Sequence, residues 1–279
     1  MEYIYFFETE EPLILKFDLV PLDELLLHEE VIEDHLKKLS CAIKESGVIS
    51  DPVIIDDYSK VVLDGTHRVC VLKEMHLEFA PVVRVNYAHN AIQLKRWFRI
   101  LDGSEKDIIS VLNNLNYEQV DLPSINSDLL DREIVIAKKN SAFIIEAGKN
   151  VFEKYSALRE FEKLLRKKCV RIDYVTENEA LESLSQGKII IMTPRIEKQD
   201  VINFAKKNLV FPPKSTRHVF KLRPVFLNFP LSLLKELKAA PEARKEVLRE
   251  FLLERIPLEI EGYLTIDRFY EEDYLLLFV

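Results

Sequence analysis

The chain is short of cysteine, of basic charge and of long apolar runs, and each shortage removes a class of function. Its 279 residues include three cysteines, Cys41, Cys70 and Cys169. They lie far apart and form no CxxC pair, so neither a disulfide framework nor a zinc knuckle is expected; reduced, buried thiols are. Lys and Arg number 39 against 47 Asp and Glu, a formal net charge of -8, which argues against broad binding along a nucleic-acid backbone. The local basic run Arg166-Lys167-Lys168 reads as a solvated helix surface. No apolar stretch approaches a membrane span, and Met1-Glu2-Tyr3-Ile4 lacks the basic start and small-residue cleavage site of a signal peptide. A cytoplasmic protein is expected, with no membrane or nucleic-acid partner. There is also no HExxH: after His28-Glu29-Glu30 the next histidine is His35, so a metal site built on these histidines is not expected.

What remains is a folded protein with ample core, 48% hydrophobic and 31% charged, long enough for one large domain or two ordinary ones. It is rich in Lys and Glu, as heat-adapted proteins are. The first hundred residues alternate strand and helix patterns. Tyr3 to Phe7 and Leu13 to Phe17 read as strands. Val31 to Ser46 carries Ile32, Leu36, Leu39 and Ile43 near helical spacing, with Gly47 as the stop. Pro52 to Ile55, Val61 to Leu63 and Pro81 to Tyr87 are further strands, with a helix over Val69 to Met75. A second unit starts near Ser104, where Ser-Glu-Lys-Asp offers a capping box. Strands follow at Glu133 to Ala137, Ala142 to Ile145, Val170 to Val175 and Lys188 to Met192. Helices are expected from Phe152 to Lys167, after the Thr176 to Glu179 cap, and from Lys198 to Lys207. The tail from Phe226 reads as mostly helical through Leu253, and its apolar end, Leu275 to Val279, packs at home or in a dimer. No repeat or low-complexity linker appears. The boundaries drawn are 1–100, 101–233 and a 234–279 extension.

Three stretches and one residue can carry chemistry. Val61-Val62-Leu63-Asp64-Gly65-Thr66-His67-Arg68 is a strand that stops on Asp-Gly and turns into a helix. Glycine lets backbone approach a ligand closely, the helix N-terminus favours anions, and Arg68 can grip a phosphate bidentately. The bland alternative is a surface corner. His28-Glu29-Glu30 offers carboxylates for general-base work, or merely charge at a helix N-terminus. Pro212-Pro213-Lys214-Ser215-Thr216-Arg217-His218 follows paired prolines, which stiffen a loop, with five hydrogen-bonding side chains suited to phosphates, sugar and base. Trp97, flanked by Lys95, Arg96 and Arg99, reads in isolation as core.

In order along the chain, these pieces resemble the free L-serine kinase family of the ParB/sulfiredoxin-like superfamily. The resemblance rests on Leu27 to Val31, Leu63 to Arg68, Trp97 and Phe211 to His218. The last segment is the most specific, and residues 101–170 and the tail after 234 carry little of it. It implies an α/β (α+β) fold: a ParB/sulfiredoxin-like N-terminal domain packed on a second mixed α/β domain, with a helical C-terminal extension. It implies transfer of a phosphoryl group from ADP or ATP, with Mg²⁺, to free L-serine, by a monomer or homodimer. In that picture Asp64, Gly65, Thr66, His67 and Arg68 hold the donor's phosphates. Pro213, Lys214, Ser215, Thr216, Arg217 and His218 complete the nucleotide site from the second domain. Glu30, or Glu29 one position earlier, takes the serine proton; His67 joins them as a catalytic candidate, Trp97 lines the serine pocket, and Asp64 is a candidate metal or water contact. Thr66 departs from the family's Asp-Gly-His-His-Arg, and it excludes a sulfiredoxin, which needs cysteine there. A ParB-like nucleotide-binding regulatory or DNA-associated protein is the alternative, as is a kinase for threonine or homoserine.

Overall fold

The structure is a computed structural model that describes residues 3–8, 10–124, 126–237, 240–267 and 269–279. The chain forms two compact units: Met1–Gln93 with Val201–Val210 and His218–Val279, and Leu94–Asp200 with Phe211–Arg217. This differs from boundaries at 100 and 233. A cut at residue 100 would split the strand Phe98–Asp102, which pairs on both sides, and the segment 234–279 belongs to the same unit as residues 1–93.

In the first unit a five-stranded sheet runs in the order Tyr3–Phe7, Leu13–Pro21, Phe79–Val85, Val53–Asp56, Val62–Asp64. All neighbours are antiparallel except Phe79–Val85 with Val53–Asp56. Val53 to Ile55 and Val61 to Leu63 are buried throughout, so these short strands read as continuous apolar runs rather than alternations. The helix Glu33–Ser46 ends on Gly47 at φ 71°, the left-handed stop that its glycine permits. It starts two residues later than the apolar spacing suggests, with Ile32 as an extended N-cap. The terminal segment adds helices Leu231–Glu236 and Pro241–Leu253 and a small sheet. There Tyr274–Phe278 lies between Leu222–Pro224, parallel, and Pro257–Glu261, antiparallel. The apolar end therefore packs at home, with Leu275 and Leu276 fully buried.

The second unit holds a six-stranded antiparallel sheet in the order Arg171–Val175, Phe98–Asp102, Ile189–Met192, Ile134–Lys138, Ser141–Ile145, Tyr117–Asp121. Phe98, Val135, Ala137, Ala142, Ile190 and Met192 meet Ala180 and Leu184 of the helix Glu177–Ser185 in one core. The Thr176 to Glu179 capping box forms, but Ser104 makes no side-chain capping bond at its own helix. One further expectation needs correcting. Cys41 and Cys169 are exposed and Cys70 half-buried rather than buried. The edge strand Tyr117–Asp121, largely exposed, was not foreseen.

Candidate active site

In the first unit the strand Val62–Asp64 delivers its chain into the helix Thr66–Glu74 through Gly65, at φ 99° and ψ 20°. That left-handed geometry suits glycine. It also leaves room for Arg68, which folds back over the turn: a Cβ at Gly65 would lie 2.8 Å from one guanidinium nitrogen and 2.9 Å from Nε. Arg68 closes the loop on Asp64 at 2.5 Å and stands 3.8 Å from Asp51. Arg223 reaches the same Asp64 carboxylate at 3.2 Å. Gly65, as N-cap, brings no side chain to the first-turn amides, and no acidic residue occupies that turn. The positive helix end and two arginines thus surround a single aspartate. Burial alone would depress the Arg223 pKa, but Asp64, Glu272 and Asp51 outweigh it and hold the pKa above its ordinary value.

The His28 to Glu30 segment is clipped to this loop at both ends. On one side Leu26 bridges Val61, and the Val62 amide donates to the Leu26 carbonyl at 2.9 Å. On the other, the Ile32 amide donates to His67 Nε2 at 3.0 Å. Ile32 is the extended N-cap residue (φ -94°, ψ 116°) of the helix that follows from Glu33. Since Nε2 accepts, His67 is a neutral imidazole with its proton on Nδ1. Glu29 and Glu30, both half-buried, lie between the clips.

His28 is buried, and burial pushes its pKa from 6.5 down to about 4 against the opposing effect of a hydrogen bond to the Val62 backbone. Its ring meets His218 edge-on at 5.4 Å, and His218 Nε2 is 2.7 Å from the Tyr87 hydroxyl. His218 therefore stands in the first unit, not with the rest of its motif.

In the second unit Trp97 lies among residues 212 to 217. Its indole N–H donates to the Thr216 carbonyl at 3.1 Å, and Lys214 and Arg217 sit 4.9 and 5.4 Å from its ring. Such cation–π contacts hold a cationic loop against an aromatic plate. The Trp97 carbonyl accepts from Arg99 at 2.6 Å and from Thr193 at 3.0 Å; Arg99, fully buried, pairs with Glu162 at 2.8 Å. So Trp97 is not plain core: it is the post on which the loop is hung. Ser215 is turned inward, fully buried, its hydroxyl donating to the Pro212 carbonyl at 2.7 Å, and it shapes the loop. Lys214, at φ 61°, takes the left-handed turn the loop requires.

The structure thus brings Glu29, Glu30, Asp64, Gly65, Thr66, His67, Arg68 and His218 into one unit, and Trp97, Pro213, Lys214, Ser215, Thr216 and Arg217 into the other. Sequence reasoning missed Arg223, Asp51 and Tyr87. Arg223 falls in a short Leu-Arg-Pro strand with no motif around it, and only its place in the fold shows its partner.

No family model matches the chain. It is 30% identical over 232 residues to the ATP-dependent L-serine kinase of Staphylothermus marinus, covering 78% of this chain and 90% of that one. It is 24% identical to the ADP-dependent L-serine kinase SerK of Thermococcus kodakarensis, over 74% of this chain and 87% of that one. A free serine kinase variant solved in complex with ADP shares the fold, with a TM-score of 0.68 at 18% identity over 78% of this chain and 93% of that one.

Proposed function

The chain belongs to the L-serine kinase family, and from that membership we propose that it moves a phosphoryl group from ATP or ADP to the hydroxyl of free L-serine, giving O-phospho-L-serine. The observation that carries the residue assignment is the double clip, which holds Glu29 and Glu30 beside the Asp64–Arg68 loop through Leu26 and Ile32. A base and an anion-binding turn held side by side are what in-line transfer to an alcohol needs.

In this reading Glu30 accepts the serine hydroxyl proton as the oxygen attacks the donor's terminal phosphorus. The bond from that phosphorus to its bridging oxygen breaks, and ADP (or AMP, from ADP) leaves. The helix Thr66–Glu74 offers its first-turn amides to the donor phosphates, and Arg68 adds positive charge. Asp64 keeps Arg68 folded over Gly65. His67, with Nε2 engaged by Ile32, acts by orienting the base segment. Thr66 contributes a hydroxyl at the first position of the helix. Lys214 and Arg217 serve the nucleotide, and Trp97 the serine.

Among the described residues no group of three or more His, Cys, Asp or Glu is arranged to hold a metal ion, and Asp64 is already shared by two arginines. Mg²⁺ would therefore be held chiefly by the donor's phosphates and water, as it commonly is, and would supply charge neutralisation on the transferring group.

Phosphorus NMR of the protein with Mg²⁺, ATP or ADP, and serine, threonine or homoserine tests the proposal. The expected result is a phosphoserine resonance that grows in step with the nucleotide product. Nucleotide consumed no faster with serine than without any acceptor overturns it. Salt-sensitive DNA binding in place of turnover would support the regulatory alternative.

A further inference from the structure

Behind the Asp64–Arg68 loop runs a row of alternating charges: Asp51, Arg68, Asp64, Arg223, Glu272. Its last pair is the most enclosed, Arg223 being 6% exposed and Glu272 5%. Opposite charges attract most strongly away from water, and the loss of one partner is felt most there. Glu272 comes from the C-terminal segment, in the turn before the strand Tyr274–Phe278.

The backbone of that turn is fixed. The Gly262 amide donates to the Asp273 carbonyl at 2.8 Å and the Tyr263 amide to the Glu272 carbonyl at 3.3 Å. A Cβ at Gly262 would stand 1.7 Å from the Glu272 carbonyl oxygen, so only glycine allows this approach. Arg223 sits on the strand Leu222–Pro224, in register with Leu275 of the terminal strand, and its guanidinium lies 5.0 Å from the Phe220 ring. Both members of the pair are held by the same small sheet.

We infer that Glu272 is a positioning residue of the donor site: by holding Arg223 it sets where Asp64 stands, and through Asp64 how Arg68 is presented to the donor's phosphates. The physical reason is a division of charge. Asp64 is shared by Arg68 and Arg223, and Arg223 by Asp64 and Glu272. Without the Glu272 charge, Arg223 turns its full pull on Asp64 and draws it off Arg68. The C-terminal segment is then a working part of the site rather than an appendage. The inference rests on reading the Asp64–Arg68 loop as the donor site.

The test is direct nucleotide binding by calorimetry, with ATP and with ADP, alongside steady-state kinetics and thermal melting. Glu272→Gln is expected to raise the nucleotide Kd about tenfold and to leave the serine KM unchanged, while Glu272→Asp recovers part of the affinity. A purely structural role would lower the melting temperature of both variants and leave the Kd of the folded protein where it was; that result overturns the inference. Should Glu272→Gln fail to fold, Glu272→Asp carries the test, and a folded Asp variant with wild-type Kd overturns it. Nucleotide binding without serine turnover in the wild type defeats the kinase reading and still leaves the Kd comparison decisive. Absence of nucleotide binding in the wild type defeats both.

Discussion

The Ile32 amide donates to His67 Nε2 at 3.0 Å across 35 positions of sequence. This one bond joins the acidic segment to the anion-binding turn. The helix after Glu30 starts at Glu33, with Ile32 as its extended N-cap residue. Glu30 lies two residues before the bond, and its assignment as base is the first prediction. Glu30→Gln is isosteric and leaves the arginines untouched. Turnover should fall by roughly 10²–10⁴-fold, the usual worth of a general base, with nucleotide Kd unchanged by calorimetry. A variant that keeps its turnover sinks the assignment of Glu30 and passes the role to Glu29.

His28 is expected to make folding stability sensitive to acid. Its pKa falls from 6.5 to about 4 on folding, so between those values the unfolded chain binds a proton that the folded chain does not. The neutral ring's contribution is fully present above pH 6.5 and is lost as pH falls toward 4. The linked free energy is about 3 kcal/mol. Urea titrations from pH 7 to pH 4 should show that loss, and His28→Gln should flatten it. An equal slope in wild type and variant would assign the acid sensitivity elsewhere.

Trp97→Phe separates the plate from the post. The phenyl ring still faces Lys214 and Arg217, but the donor to the Thr216 carbonyl is gone. A buried or half-buried carbonyl losing its partner costs about 1–3 kcal/mol, spent locally in the 212 to 217 loop. The serine KM should rise several-fold, on the order of the tenfold that ~1.4 kcal/mol gives, while kcat changes less. Unchanged serine KM would return Trp97 to a purely structural role.

How much of this was legible in the sequence depends on range. Gly47, the Thr176 to Glu179 capping box and the Asp-Gly turn are local chemistry, and the chain shows each of them where its residues stand. Strand Tyr117–Asp121 escaped because it is largely exposed and carries no apolar alternation. His218 illustrates the harder limit. Seven consecutive residues form one motif by eye, yet the boundary of the two units falls between Arg217 and His218, and no spacing rule marks that point. Arg223 and Glu272 were invisible for the same reason: 49 residues separate them, and an acidic run such as Glu271-Glu272-Asp273 reads as a solvated tail. Ser215 was misleading in the opposite sense. Its hydroxyl suits a phosphate, but a turn after paired prolines consumes it internally.

Gly65→Ala tests the turn itself. At φ 99° an alanine meets the left-handed penalty of about 1–2 kcal/mol. Its Cβ would also lie 2.8 Å from the Arg68 guanidinium, which is the flexible end of a side chain and can move. The two effects act on different observables. Backbone strain lowers stability by that amount in chemical denaturation. Displacement of Arg68 loosens its 2.5 Å contact with Asp64 and weakens nucleotide binding. Arg68→Ala should show the second effect without the first: a rise in nucleotide Kd of about tenfold or more, since a charge-assisted contact is worth about 1.5–3 kcal/mol. If Gly65→Ala lowers stability but binds nucleotide as the wild type does, the glycine serves the turn alone and Arg68 is not presented by it. If Arg68→Ala also keeps full affinity, the donor's phosphates do not sit on this loop.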